Sequence, residues 1–257
     1  MADLRDQVRY QTGTQTRADI DEGLRAYMLG IYNYMATALA VTGIAALGIA
    51  NLATTNDPAQ SVGTLNGNMI TSLGAMIYTS PLRWVVMLAP LAFVMVISFG
   101  INRLSGSAAR AVFYAFAAVM GVSISWIFLT YTSGSIAQTF FVTAASFGGL
   151  SLYGYTTKRS LSGMGSFLIM GLIGLIIAML VNLWLQSGAL AFAVNVIGVL
   201  IFAGLTAYDT QRLKHMYDTV AHNGEMMAKA SIMGALSLYL NFVNMFMFLL
   251  SFMGNRE

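Results

Sequence analysis

The chain has 257 residues, of which 57% are apolar and only 9% are charged. A soluble domain usually carries about 25% charged residues, so this composition excludes an ordinary soluble globule and favours an integral membrane protein. The net charge of +3 comes from basic residues spread among the loops, so we expect no nucleic-acid partner. The sequence contains no Cys, which excludes disulfides, thiolate metal sites and thiol catalysis.

Seven charge-poor apolar runs follow one another along the chain, each bounded by charges or turn residues. A helix that spans a membrane needs about 20 mostly apolar residues. The break at Gln186-Ser187-Gly188 divides a stretch that is too long for one span into the fifth and sixth runs. The sequence therefore predicts an all-α membrane protein, a bundle of seven transmembrane helices over residues 27–52, 82–101, 109–130, 137–156, 165–186, 190–209 and 230–253.

The Lys and Arg residues indicate an orientation. Of the 13 in the chain, all but Arg83 and Arg256 fall in the N-terminal tail or in the connections after the second, fourth and sixth spans. Cytoplasmic segments are rich in Lys and Arg, so we expect the N-terminus in the cytoplasm and the C-terminus outside. We expect a polar cytoplasmic tail at residues 1–25 and one transmembrane domain at residues 26–254. With no evident signal peptide, this pattern fits a multi-pass protein of a bacterial inner membrane.

The long connection between the first two spans begins polar and becomes partly apolar from Met69 to Tyr78. That segment is too short to span a membrane. We interpret it as a short helix lying on the outer surface.

A few polar side chains within the spans are candidates for function, because such residues are costly in a membrane and often functional. Asp209, at the cytoplasmic end of the sixth span, is the one acidic candidate; its alternative role is that of an ordinary interfacial residue. Asn241 and Asn244 lie three residues apart and share one face of the seventh span. These amides either join helices or line a polar path with Asp209. Arg103 either anchors the end of the second span or pairs with Asp209, if helices two and six are neighbours.

The last two spans also carry longer motifs, FAGLTAYDTQ at residues 202–211 and ALSLYLNFVN at residues 235–244. Together they resemble the Bax inhibitor-1 family, also called the transmembrane Bax inhibitor motif family. The resemblance covers about residues 20–253. It implies a helical bundle with a central seventh helix and a pH-sensitive Ca²⁺ leak across the membrane.

The resemblance also implies a pair of aspartates, one on helix six and one on helix seven, near a cytoplasmic gate. Asp209 matches the first aspartate, Arg103 approximately matches an arginine that can interact with the pair, and Asn241 replaces the second aspartate. Two close carboxylates share a proton because like charges repel, whereas Asn cannot ionise and can donate an N–H to the Asp209 carboxylate. We therefore predict a pH switch that is weakened or absent, and only a weak Ca²⁺ contact at Asp209.

Three functions fit these features to different degrees. A passive Ca²⁺ leak fits the bundle, the lone Asp209 and the family resemblance. An intramembrane aspartyl protease needs two carboxylates, whereas the seventh span offers Asn241, so we expect no enzymatic activity. A non-transporting regulator would bind a membrane-protein partner in stress response or membrane-protein quality control, with residues 1–25 as the docking segment. In either of the favoured cases the lipid bilayer is the surrounding partner, and we expect no cofactor, with Ca²⁺ as the permeant ion.

Overall fold

Seven helices long and apolar enough to cross a membrane make up most of the computed structural model, which describes residues 17–256 and side chains from residue 22 onward. Their number agrees with the seven spans predicted from the sequence. We number them in chain order: α1 Arg17–Ala53, α2 Leu82–Gly100, α3 Gly106–Ile124, α4 Ser133–Thr156, α5 Ser162–Leu185, α6 Gly188–Val220 and α7 Gly224–Met253. A tight 3₁₀ turn at Ser125–Leu129 extends α3.

Three helix ends differ clearly from the predicted spans. α1 begins at Arg17 rather than residue 27, α6 continues from the predicted residue 209 to Val220, and α7 begins at Gly224 rather than residue 230. Helical hydrogen bonding continues into polar sequence beyond the membrane, whereas an apolar run marks only the part of a helix in lipid. α1 thus includes part of the tail predicted for residues 1–25, of which residues 1–16 lie outside the described residues.

Short polar side chains begin four of the helices. Ser105, Thr132 and Ser187 each accept a hydrogen bond from a backbone N–H three residues later, at the starts of α3, α4 and α6. Asn223 accepts two such bonds at the start of α7. These side chains satisfy N–H groups that have no partner within the helix. Gln186, with a left-handed φ of 47°, ends α5 where the sequence predicted the break between two spans.

The connection between α1 and α2 is built differently from the prediction. Strands β1 (Gly63–Leu65) and β2 (Asn68–Ile70) pair antiparallel, and helix begins only at Ser72, as a short turn that widens at Ala75–Thr79. The Asn66-Gly67 pair has φ angles of 50° and 83°, the conformation that a two-residue hairpin turn requires. The predicted helix from Met69 was therefore wrong at its start, because this Asn-Gly turn directs Met69 and Ile70 into a strand.

α7 lies at the centre of the bundle, as the resemblance implied. About 61% of the residues in the apolar 18-residue segment of α7 are buried inside the protein, against 11–39% for the corresponding segments of the other six helices. It packs against α1, α3, α4 and α6, while α2 packs mainly on α3 and α5 on α6. A polar side chain on α7 can therefore meet groups from several helices away from lipid.

Two close approaches hold other helices around this centre. A Cβ atom at Gly121 of α3 would lie 2.4 Å from the carbonyl oxygen of Thr42 on α1, and one at Gly154 of α4 would lie 2.2 Å from that of Ala207 on α6. Small residues let membrane helices approach this closely. The Thr42 hydroxyl also lies 2.6 Å from the Tyr239 hydroxyl and 2.8 Å from the Ala117 carbonyl oxygen, which links α1, α3 and α7.

Candidate functional site

The Asp209 carboxylate of α6 is buried against α7, with only 6% of the residue exposed. Ser237 Oγ and Asn241 Nδ2, both on α7, donate hydrogen bonds to Asp209 Oδ2 at 2.7 and 2.8 Å. Arg212, one turn along α6, forms an ion pair with Asp209 Oδ1 at 2.9 Å. A buried carboxylate is costly unless it is paired and hydrogen-bonded, and this arrangement supplies both. The predicted site residues Asp209 and Asn241, 32 residues apart in the sequence, therefore come together.

Arg103 and Asn244, the other two predicted site residues, make no bond to Asp209. Arg103 is exposed in the turn after α2, and α2 packs mainly on α3 instead of lying against α6. The suggested Arg103–Asp209 pair is therefore not formed, and Arg212 is the arginine that binds Asp209. Asn244 donates to the Leu240 carbonyl oxygen of its own helix at 2.8 Å and does not bond to Asp209.

Sequence reasoning missed Arg212 and Ser237 as members of the site. Arg212 follows Asp209 by three residues, and Ser237 precedes Asn241 by four, so each shares a helix face with a predicted site residue. The sequence predicts Arg212 only as a positive charge in the connection after the sixth span. Because α6 continues past the predicted end of that span, Arg212 lies on the helix one turn after Asp209, and its side chain pairs with the Asp209 carboxylate.

The residues around Asp209 fix the position of this end of α6. The buried Gln211 side chain accepts a hydrogen bond from the Leu161 backbone N–H at 2.8 Å and donates one to the Arg159 carbonyl oxygen at 2.9 Å. It thereby ties α6 to the connection between α4 and α5. The Tyr208 ring occupies the space beside Gly165 of α5, where a Cβ would lie 2.4 Å away. The motif around Asp209 thus combines a buried charge with contacts that hold its helix in place.

An open groove reaches the Asp209 site from the end of the bundle where α6 ends and α7 begins. This entrance groove, about 520 Å³, lies between α2, α6 and α7. Arg212, Lys229, Ser237 and Leu240 are among its lining residues. Both cations are paired, Arg212 with Asp209 and Lys229 with Glu225 at 2.9 Å.

Two further cavities continue along α7. A middle cavity of about 410 Å³ shares Ser237 and Leu240 with the entrance groove, and Asn241 and Asn244 also line it. A far cavity of about 570 Å³, bounded by Arg256, shares Asn244 and Phe248 with the middle one. Ser237, Asn241, Asn244 and Ser251 thus place polar groups along one side of α7, through three cavities in succession.

The site offers few ligands to a metal ion in its present arrangement. Among the described residues, no group of three or more His, Cys, Asp or Glu side chains comes together to hold one. Both Asp209 oxygens accept from protein donors. A cation that contacted Asp209 would therefore have to displace Arg212 or a hydrogen bond from α7.

Known proteins similar to this chain cover almost its whole length. The family model described as inhibitor of apoptosis-promoting Bax1 matches residues 24–257. An uncharacterized protein of Caulobacter vibrioides is 46% identical over 244 residues, 94% of each chain. The inner membrane protein YbhL of Escherichia coli K12 is 44% identical over 236 residues, 91% of this chain and 94% of its own. The chain therefore belongs to the Bax inhibitor-1 family, to which its motifs on α6 and α7 pointed.

Proposed function

We propose that this protein is a passive leak for cations, Ca²⁺ among them, whose path follows the polar side of α7. The observation that carries the proposal is the succession of three cavities that share lining residues along this helix. From Lys229 to Ser251 the path covers 22 residues of α7, or about 33 Å at 1.5 Å per residue. The hydrocarbon core of a bilayer is about 30 Å thick, so the cavities extend over the distance that an ion must cross.

We place the closure of this path where the entrance groove meets the middle cavity, at their shared lining residues Ser237 and Leu240. Asp209 bonds to Arg212 and Ser237 of the groove and to Asn241 of the middle cavity. One buried carboxylate thus holds together residues on both sides of the closure. Opening requires these bonds to rearrange, which makes Asp209 the centre of the proposed gate.

The polar groups along the path suit a cation, while its charges would make the passage of that cation slow. Oxygen atoms of Ser237, Asn241 and Asn244 suit a hard cation such as Ca²⁺. Asp209 supplies negative charge at the closure, but Arg212 largely compensates it at 2.9 Å. Arg256 places a positive charge at the far cavity, which further opposes cation entry.

The orientation and membrane belong to the same proposal. The Lys and Arg distribution favours a cytoplasmic N-terminus, which places the entrance groove on the cytoplasmic side. The relative YbhL is named an inner membrane protein, which supports the inner membrane for this chain as well.

The absence of Cys from the natural sequence makes a labelling test possible. Asn244→Cys places a thiol where the middle and far cavities meet. The Asn244 amide that it replaces bonds only within its own helix, to the Leu240 carbonyl oxygen. Treatment with a water-soluble, positively charged methanethiosulfonate should lower Ca²⁺ uptake into liposomes by about tenfold, because bulk and like charge then block the path. Phe252→Cys, at a half-exposed position of α7 outside these cavities, is the matched control and should keep its flux.

Two results would contradict the proposal. Parent protein that passes no Ca²⁺ above protein-free liposomes would favour the non-transporting regulator, whose docking segment at residues 1–25 lies largely outside the described residues. Parent flux that persists after complete modification of Asn244→Cys would show that ions take another route.

A further inference from the structure

A second concave surface lies away from α7, between α1 and α4. This α1–α4 groove has a volume of about 500 Å³, and its walls include Leu29, Met35, Phe147 and Leu152. Gly148 widens it, since a Cβ added there would meet nothing within 4 Å. Its walls are therefore apolar along most of their length.

The length of the groove matches one leaflet of a bilayer. It runs along α1 from Arg25 to Met35, which is ten residues or about 15 Å. Half of a hydrocarbon core about 30 Å thick is also about 15 Å. An acyl chain of one leaflet would therefore lie along it with its head at the Arg25 end.

Positive charge collects at that end. Arg25 lines the groove directly, and Lys214 of α6 donates to the carbonyl oxygen of Tyr155, another lining residue, at 2.9 Å. The connection after α4 adds Lys158 and Arg159. Within the described part of the chain, neither Arg25 nor Lys214 forms an ion pair. Their charges are thus placed to meet an anion at the membrane surface.

We propose that the α1–α4 groove binds an anionic phospholipid, with an acyl chain between the two helices and its phosphate at Arg25 and Lys214. Guanidinium and phosphate form strong, charge-assisted hydrogen bonds. Basic pockets between membrane helices are known to bind anionic headgroups. A zwitterionic lipid gains the apolar contact but less from the two cations, so it should exchange more readily.

Native mass spectrometry of the purified full chain in detergent tests this site, with phosphatidylglycerol and phosphatidylcholine as probes. We expect the parent to retain phosphatidylglycerol preferentially. Gly148→Leu, which fills the groove, and Arg25→Gln, which removes a charge, should each weaken retention by about fivefold. Gly149→Leu points into open space outside the groove, and Arg103→Gln removes an exposed charge elsewhere, so both serve as matched controls and should behave as the parent.

Several outcomes would overturn the lipid site. These are equal retention of the two lipids, equal losses in the variants and their controls, or displacement of the lipid by the same concentration of inorganic phosphate. If Gly148→Leu fails to fold, Leu152→Trp fills the same groove from an exposed position and replaces it. The readout is lipid retention, so the result is independent of any ion flux.

Discussion

Asn241 Nδ2 on α7 lies 2.8 Å from Asp209 Oδ2 on α6, so an amide stands where the family resemblance implies a second carboxylate. The amide can donate to Asp209 but cannot exchange a proton with it. The closure of the proposed path therefore has one ionisable carboxylate, balanced by Arg212. The functional predictions depend on this charge balance, and the stability predictions depend on the packing that holds α6 and α7 in place.

Removing the charge of Asp209 should lower cation flux. Asp209→Asn keeps a side-chain oxygen that can accept from Ser237 and Asn241, so the closure stays in place. The variant leaves the positive Arg212 uncompensated beside the path, so we expect Ca²⁺ uptake into liposomes to fall about tenfold. Asp218→Asn is the control, because Asp218 is exposed farther along the same helix. Unchanged flux in Asp209→Asn would remove Asp209 from the gate.

Removing the charge of Arg212 should have the opposite effect. Arg212→Gln leaves Asp209 with its two α7 donors but without its cation, so the closure gains net negative charge and Ca²⁺ uptake should rise about tenfold. Arg103→Gln tests the arginine first suggested by the family resemblance and should leave flux unchanged. A larger change in Ca²⁺ uptake for Arg103→Gln than for Arg212→Gln would contradict the assignment of Arg212 as the partner of Asp209 in the gate.

The Tyr239 hydroxyl should contribute measurably to stability. Tyr239→Phe removes the hydrogen bond to Thr42 that links α7 to α1, at a cost of about 0.6–1.5 kcal/mol. Thermal unfolding in detergent should show a lower midpoint for this variant. Tyr153→Phe changes a half-exposed tyrosine of α4 and should leave the midpoint unchanged. Equal midpoints for parent and Tyr239→Phe would mean that the bond adds nothing to stability.

Gly154 should tolerate no side chain. Gly154→Ala places a Cβ 2.2 Å from the Ala207 carbonyl oxygen and forces α4 away from α6, at a cost of about 1–3 kcal/mol. Gly149→Ala, on the same helix, meets nothing within 4 Å and should be neutral or slightly stabilising. Comparison of their unfolding midpoints checks the close contact, and a neutral Gly154→Ala would contradict it.

The apolar runs predicted the seven helices and most of their bounds, because the need for about 20 apolar residues is a property of lipid. They did not predict that α6 continues to Val220, since polar residues beyond the membrane form helix without an apolar signal. The Asn66-Gly67 pair is typical of a two-residue hairpin turn, so its residue types indicate the hairpin that the helix prediction for Met69 to Tyr78 lacks.

The candidate site was predicted in part for a similar reason. Asp209 and Asn241 were visible as polar residues in apolar spans. Their contact, however, depends on how α6 packs against α7, which one sequence does not contain. Arg103 resembles the family arginine by its position along the chain, but α2 packs on α3 and is separated from α6 by the entrance groove. The three-residue spacing from Asp209 to Arg212, which places both on one face of α6, indicates the arginine partner of Asp209 better than the family resemblance does.

Ca²⁺ flux into liposomes across a pH series, for the parent and Asn241→Asp, tests the central claim most directly. The variant places two carboxylates at hydrogen-bond distance. Because their like charges repel, the two do not ionise together easily, and one of them should hold a proton near neutral pH. We predict that the parent flux changes little across the neutral range, whereas the pH dependence of the variant shifts into it. Identical pH profiles for the two proteins would contradict the account.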